Sequence, residues 1–184
     1  MKAIAGVFAL IMAVLCLGCL CSQPEEFSIS PAGNGLMQYS SKSHGGFSFK
    51  YDSGLSFNNE SSYDMSIMTG LSFEGNDSGA LFVGIMPSLV AQNGWLKEAC
   101  DKDKLAAQLK SQSDLNVTKV NSVQERNYTR VQSCIADVVA VDRGIEMPMS
   151  VAFGECNNTV PLYAVGGGNE SMRYMEVLLS SFDC

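Results

Sequence analysis

What most limits the folds open to this chain is the spacing of its apolar residues. From Gly45 onward they alternate at period two in run after run, and only two stretches switch to helical spacing. In "GFSFKY" the residues Phe47, Phe49 and Tyr51 share one face, and "DSG" follows as a turn. "SYDMSIMTGLSF" sets Tyr63, Met65, Ile67, Thr69, Leu71 and Phe73 along one side of a strand. "EGNDSG" then turns the chain into "ALFVGIMP", with Leu81, Val83 and Ile85 inward, which predicts a hairpin. Between Pro87 and Leu115, "LKEACDKDKLAAQLKSQ" brings Leu105 and Leu109 onto one side with Lys and Asp outside, which predicts at least one amphipathic helix. "NVTKVNSVQERNYTRVQSCIADVVAV" predicts two strands joined near Asn127. Ile145, Met147, Met149, Val151 and Phe153 alternate as a third, in which Pro148 calls for an edge position or an unpaired amide. "TVPLYAV" is the last strand and "GGG" the break. Asn169 is the expected N-cap of a closing helix that buries Met172, Met175, Leu179 and Phe182. Strands adjacent in sequence favour an antiparallel sheet covered by helices, an α+β sandwich, over a doubly wound parallel fold.

The start of the chain reads as processing. Lys2 is followed by "AIAGVFALIMAVLCL", about fifteen apolar or small residues, where crossing a bilayer takes roughly 20. Three cysteines, Cys16, Cys19 and Cys21, close that run, and Gly18 gives the small residue that cleavage before Cys19 requires. The pattern resembles a lipoprotein lipobox. On that expectation residues 1–18 are a signal peptide and Cys19 is the lipidated N-terminus, with Cys21 as the alternative acceptor. Residues 19–34, with "SQPEEFSISPAGN", form a flexible tether, and residues 35–184 are a single domain. Two acyl chains hold a protein on a membrane where one holds it marginally, so the expected place is the outer face of the cell membrane. C-x-x-C-x-C with no histidine nearby lacks half of a tetrahedral metal set.

Four cysteines remain in the body: Cys100, Cys134, Cys156 and Cys184. An even number at wide spacing fits two disulfides in an exported domain. Of the three connectivities, the one preferred from sequence joins Cys134 to Cys156 and Cys100 to Cys184. Six N-x-S/T sequons, at Asn59, Asn76, Asn116, Asn127, Asn157 and Asn169, exceed the roughly two that composition gives by chance and predict a glycosylated surface. The formal net charge of −7, with no basic cluster longer than "KDK", argues against nucleic acid or anionic headgroups as partners.

"GGFSFKYDSGLSF" and the terminal "MRYMEVLLSSF" resemble the PsbP-like domains, including their lipoprotein relatives outside photosynthesis, over roughly residues 45–182. The resemblance implies an α/β/α sandwich around an antiparallel sheet and a binding or assembly role without catalysis. No charged motif matches, so no binding residue of the family is carried over.

Motifs that would carry chemistry are sparse. His44, the only histidine, reads as a solvated loop residue. Asp101, Asp103, Glu74 and Asp77 lack a calcium loop and read as helix-start and turn acids. "VGGGNES" lacks the Lys-Ser/Thr of a nucleotide loop, and the methionines of "IEMPMS" read as core packing rather than a copper(I) site. Trp95 either caps the core edge or is an exposed partner contact. The expectation is a non-enzymatic surface lipoprotein without cofactor, tied to the membrane by its lipid and binding an envelope protein or small ligand. The alternatives are a solute- or metal-binding lipoprotein and a hydrolase using His44.

Overall fold

The computed structural model describes residues 26–65, 68–75, 79–86, 95–111, 116–142, 144–157 and 160–184. Cys16, Cys19, Cys21 and Asn76 lie outside them. Among the described residues ten strands and three helices follow one another: β1 (Phe27–Gly33), β2 (Leu36–Ser41), β3 (Phe47–Asp52), β4 (Leu55–Met65), β5 (Met68–Gly75), β6 (Ala80–Ile85), α1 (Trp95–Ala99), α2 (Lys102–Ser111), β7 (Val117–Asn127), β8 (Val131–Asp142), β9 (Ile145–Cys156), β10 (Val160–Gly167) and α3 (Ser171–Ser181). Seven strands form one sheet in the order β4-β5-β6-β10-β9-β8-β7, and β1-β2-β3 form a smaller one. Every ladder is antiparallel, so the fold is α+β as the strand grouping implies.

The large sheet is covered on both faces. One face carries α3 and the small sheet, whose Tyr39, Phe47, Phe49 and Tyr51 pack with Phe73, Leu81, Ile135, Met175 and Phe182. The other carries α1 and α2, where Trp95, Leu105 and Leu109 pack on Val138, Val151, Phe153 and Tyr163. One cover is therefore half helix and half sheet, rather than the all-helical layer of the expected sandwich.

Two boundaries differ from the sequence reading. Residues 27–33, expected in the tether, are the edge strand β1: Phe27 stacks on Tyr39 at 5.6 Å, and the turn into β2 runs through Gly33, Asn34 and Gly35, all at positive φ. The single run from Tyr63 to Phe73 is two strands, β4 and β5, which pair antiparallel with Met65 opposite Met68; Ile67 lies outside the described residues. The helical stretch breaks at Cys100, and Asp101 restarts it by accepting the Lys104 amide at 3.0 Å, the capping role expected of a helix-start acid. Asn169 does not cap α3, because Glu170 is the residue that leads into the helix. Pro148 behaves as its missing N–H requires. It lies one residue beyond the last β10 pairing, and only its carbonyl is used there, accepting from Gly168 N at 3.0 Å.

The C-terminus is built in. Asp183 exchanges two backbone hydrogen bonds of 2.8 Å with Ser48, and Ser181 Oγ accepts from Lys50 N at 2.8 Å, so the chain after α3 extends the small sheet beside β3. Among the described residues no helix is long and apolar enough to cross a membrane.

Candidate functional site

The structure corrects the disulfide pairing expected from sequence. Cys100 bonds Cys134, with Cα atoms 5.5 Å apart, and Cys156 bonds Cys184, at 6.4 Å. The pairing preferred from sequence, Cys134 with Cys156, fails on the pleat. Cys134 is registered against Phe153, and Cys156 against Val131. Side chains alternate along a strand, so the two thiols point to opposite faces: Cys134 belongs to the α1/α2 core and Cys156 to the α3 core. Each is met by the element covering its own face. In each bridge one cysteine is buried, Cys134 or Cys156, and the other, Cys100 or Cys184, is half-buried.

Among the described residues, two surface clefts gather polar side chains. The first, about 260 Å³, lies at the sheet end where Leu55, Gly75 and Ala80 sit, beside the start of α3. Arg173 lines it, paired with Asp52 at 2.7 Å and Glu170 at 3.5 Å. Asp52 also accepts from Gly54 N at 2.9 Å, which ties the carboxylate to the β3–β4 turn. Tyr174 and the backbone of Gly75 and Gly79 complete the lining. The guanidinium already serves two carboxylates, which neutralise its charge and weaken its pull on an anion. Glu170 also places an acid at the helix start, where "VGGGNES" would otherwise offer amides to a phosphate. This cleft is suited to hydrogen bonding with a polar, uncharged or cationic group.

The second cleft, about 370 Å³, lies under α1 on the other face, lined by Leu96, Lys97 and Cys100 above and by Glu125, Asn127, Gln132, Ser133 and Glu155 below. The lower residues come from β7, β8 and β9, aligned by the Gln132–Glu155 and Asn127–Gln132 registers. It mixes donors and acceptors along one apolar wall.

The remaining sites expected from sequence are dispersed. Trp95 is 8% exposed within the α1/α2 core, with no hydrogen-bond partner for its indole N–H among the described residues, so it caps the core edge and is not an exposed partner contact. His44 lies in the 3-10 turn Ser43–Gly45. The alternation of β9 runs off the core: Val151 and Phe153 are buried, while Met147 is 37% and Ile145 68% exposed. Asn116, Asn127, Asn157 and Asn169 are exposed, and Asn59 is half-buried in the irregular part of β4. Among the described residues no group of histidine, cysteine or carboxylate side chains could hold a metal ion.

One polar cluster was not anticipated. Tyr128 donates to Glu176, which also accepts from Arg126 Nε at 3.3 Å. Desolvation, then the hydrogen bond to Glu176 and its charge, push the Tyr128 phenol well above its ordinary range against the opposing Arg126, so it stays a donor. The pair is 48 residues apart, and no spacing rule reveals it.

No protein-family model and no curated protein sequence matches the chain. Among solved structures, the solution structure of cyanobacterial PsbP (CyanoP) from Synechocystis is similar with a TM-score of 0.53 and 15% identity, covering 85% of this chain and 96% of that one. The chain thus has a PsbP-like fold. A Bacteroides thetaiotaomicron crystal structure aligns with a TM-score of 0.47 and 12% identity over 89% of this chain, which spans about half (49%) of that protein's length.

Proposed function

We propose that this chain is a surface lipoprotein, held by diacylglycerol on Cys19 to the outer face of the cell membrane, whose PsbP-like domain binds or scaffolds an envelope partner without catalysis. The observation that carries the reading is the internal pairing of all four body cysteines, Cys100 with Cys134 and Cys156 with Cys184. Paired thiols of this kind belong to oxidising compartments, which is where the apolar leader and Cys19 would send the chain. The cleft around Asp52, Arg173 and Tyr174 is the surface offered to the partner, a polar ligand or a peptide segment rather than a polyanion.

The anchor is tested by expressing the full chain and its Cys19→Ala variant and fractionating the cells. The wild type stays with the membrane and incorporates labelled fatty acid. The variant loses the label, and its retention of an unchanged lipid label would overturn the assignment of Cys19.

A further inference from the structure

We infer that N-linked glycans on Asn127 and Asn157 sit over the two disulfides and screen their accessible sulfurs from thiol attack. This rests on the export reading above and goes beyond it, by assigning two modification sites and what they do.

The placement carries the inference. A thiolate must approach a disulfide sulfur to open it, so access sets the rate as much as chemistry does. Cys134 and Cys156 are buried, which leaves Cys100 and Cys184 as the sulfurs an external thiol can reach. A sequon asparagine stands beside each. Asn127 lines the cleft under α1 together with Cys100. Asn157 donates through Nδ2 to the Cys184 carbonyl and sits 3.4 Å from its Sγ. Both asparagines are exposed and lie at one end of the large sheet, where Asn157 N donates to Arg130 O in the β7–β8 turn at 2.8 Å.

The second cleft also suits a sugar. Glu125, Gln132, Ser133, Glu155 and Lys97 offer acceptors and donors to hydroxyls, and Leu96 offers an apolar wall to a pyranose C–H face. An oligosaccharide linked to a lipid phosphate is the donor required. The bond from Nδ2 to the sugar's anomeric carbon forms, the bond from that carbon to the phosphate oxygen breaks, the lipid phosphate leaves, and the amide gives up one proton. One N–H remains on Nδ2. The protection concerns attack by an external thiolate on Cys100 Sγ, which would form a mixed disulfide and expel the Cys134 thiolate, and the equivalent attack on Cys184 with loss of Cys156.

The test compares the native full chain with a Thr129→Ala/Thr159→Ala variant, which keeps both asparagines but removes both sequons, and with Thr118→Val, which removes the Asn116 sequon far from either bridge. Glycopeptide mapping reads occupancy, and timed dithiothreitol exposure followed by alkylation reads how fast each bridge opens. The expected result is sugar on Asn127 and Asn157, and alkylatable thiols released from both bridges about tenfold faster in the double variant with Thr118→Val unchanged. A native protein with oxidised cysteines and bare Asn127 and Asn157 overturns the inference while leaving export intact. Equal opening rates in glycosylated protein and double variant overturn it as well. A cytosolic product with reduced thiols would instead sink the export reading.

Discussion

Gly166 shows how closely β10 and α3 approach. A Cβ at that position would meet Met175 Cε at 2.9 Å, and Ser171 O and Cα at 3.2 and 3.3 Å. The methionine end can swing away, but the helix backbone cannot. Gly166→Ala is therefore expected to lower unfolding free energy by about 1–3 kcal/mol, read from urea denaturation, where an indifferent surface glycine would change little. Beneath it the Ser150 and Ser171 hydroxyls, both buried, bond each other at 3.0 Å, so a polar contact closes the same interface. "GGG" reads from sequence as a break, yet Gly166 and Gly167 lie within β10 and only Gly168 takes a positive φ. The run is kept small by a neighbour that no local pattern reveals.

At the scale of elements, the disulfides join different pairs than the sequence suggested, and the difference can be measured. Non-reducing peptide mapping should return Cys100 with Cys134 and Cys156 with Cys184, and no Cys134–Cys156 peptide. With partners 34 and 28 positions apart in sequence, removing either bridge as a double Cys→Ala variant should cost about 3–4 kcal/mol in the chain-entropy account. Strand existence was legible because period-two runs such as Phe47–Tyr51 and Leu81–Ile85 survive intact as β3 and β6. Partnership was not, since which face a cysteine takes follows from register, and register is a property of two strands together. The division of this run into β4 and β5 is not legible in the sequence, since no Gly, Pro or Asn stands between Met65 and Met68. β1 was missed for the opposite reason. Its Pro, Ser and Gly resemble a linker, although Phe27 and Ile29 alternate and Gly33-Asn34-Gly35 is a turn signal. Of the candidate site, Asp52 and Arg173 meet only because β3 and α3 are packed side by side, 121 residues apart in sequence.

The molecule as a whole is a two-faced sheet whose interior tyrosines tie stability to pH. Burial pushes the Tyr163 phenol well above its ordinary 10.0, and Tyr51 moves the same way. Unfolded tyrosines release their protons near pH 10, while the folded ones hold theirs. Stability should therefore be level below that pH and fall above it, by roughly 1.4 kcal/mol per pH unit for Tyr163. Urea denaturation in alkaline buffers checks this, and a flat profile past pH 10 would show the phenol to be solvated. The same two-faced construction lets each cover be stapled to the sheet by its own disulfide, which fits a domain working outside the cytosol. The most direct test of that account is the intact mass of the native protein extracted from membranes. The account predicts a chain beginning at Cys19, carrying diacylglycerol and lacking four thiol hydrogens. A chain that still begins at Met1 with its body thiols free would contradict it.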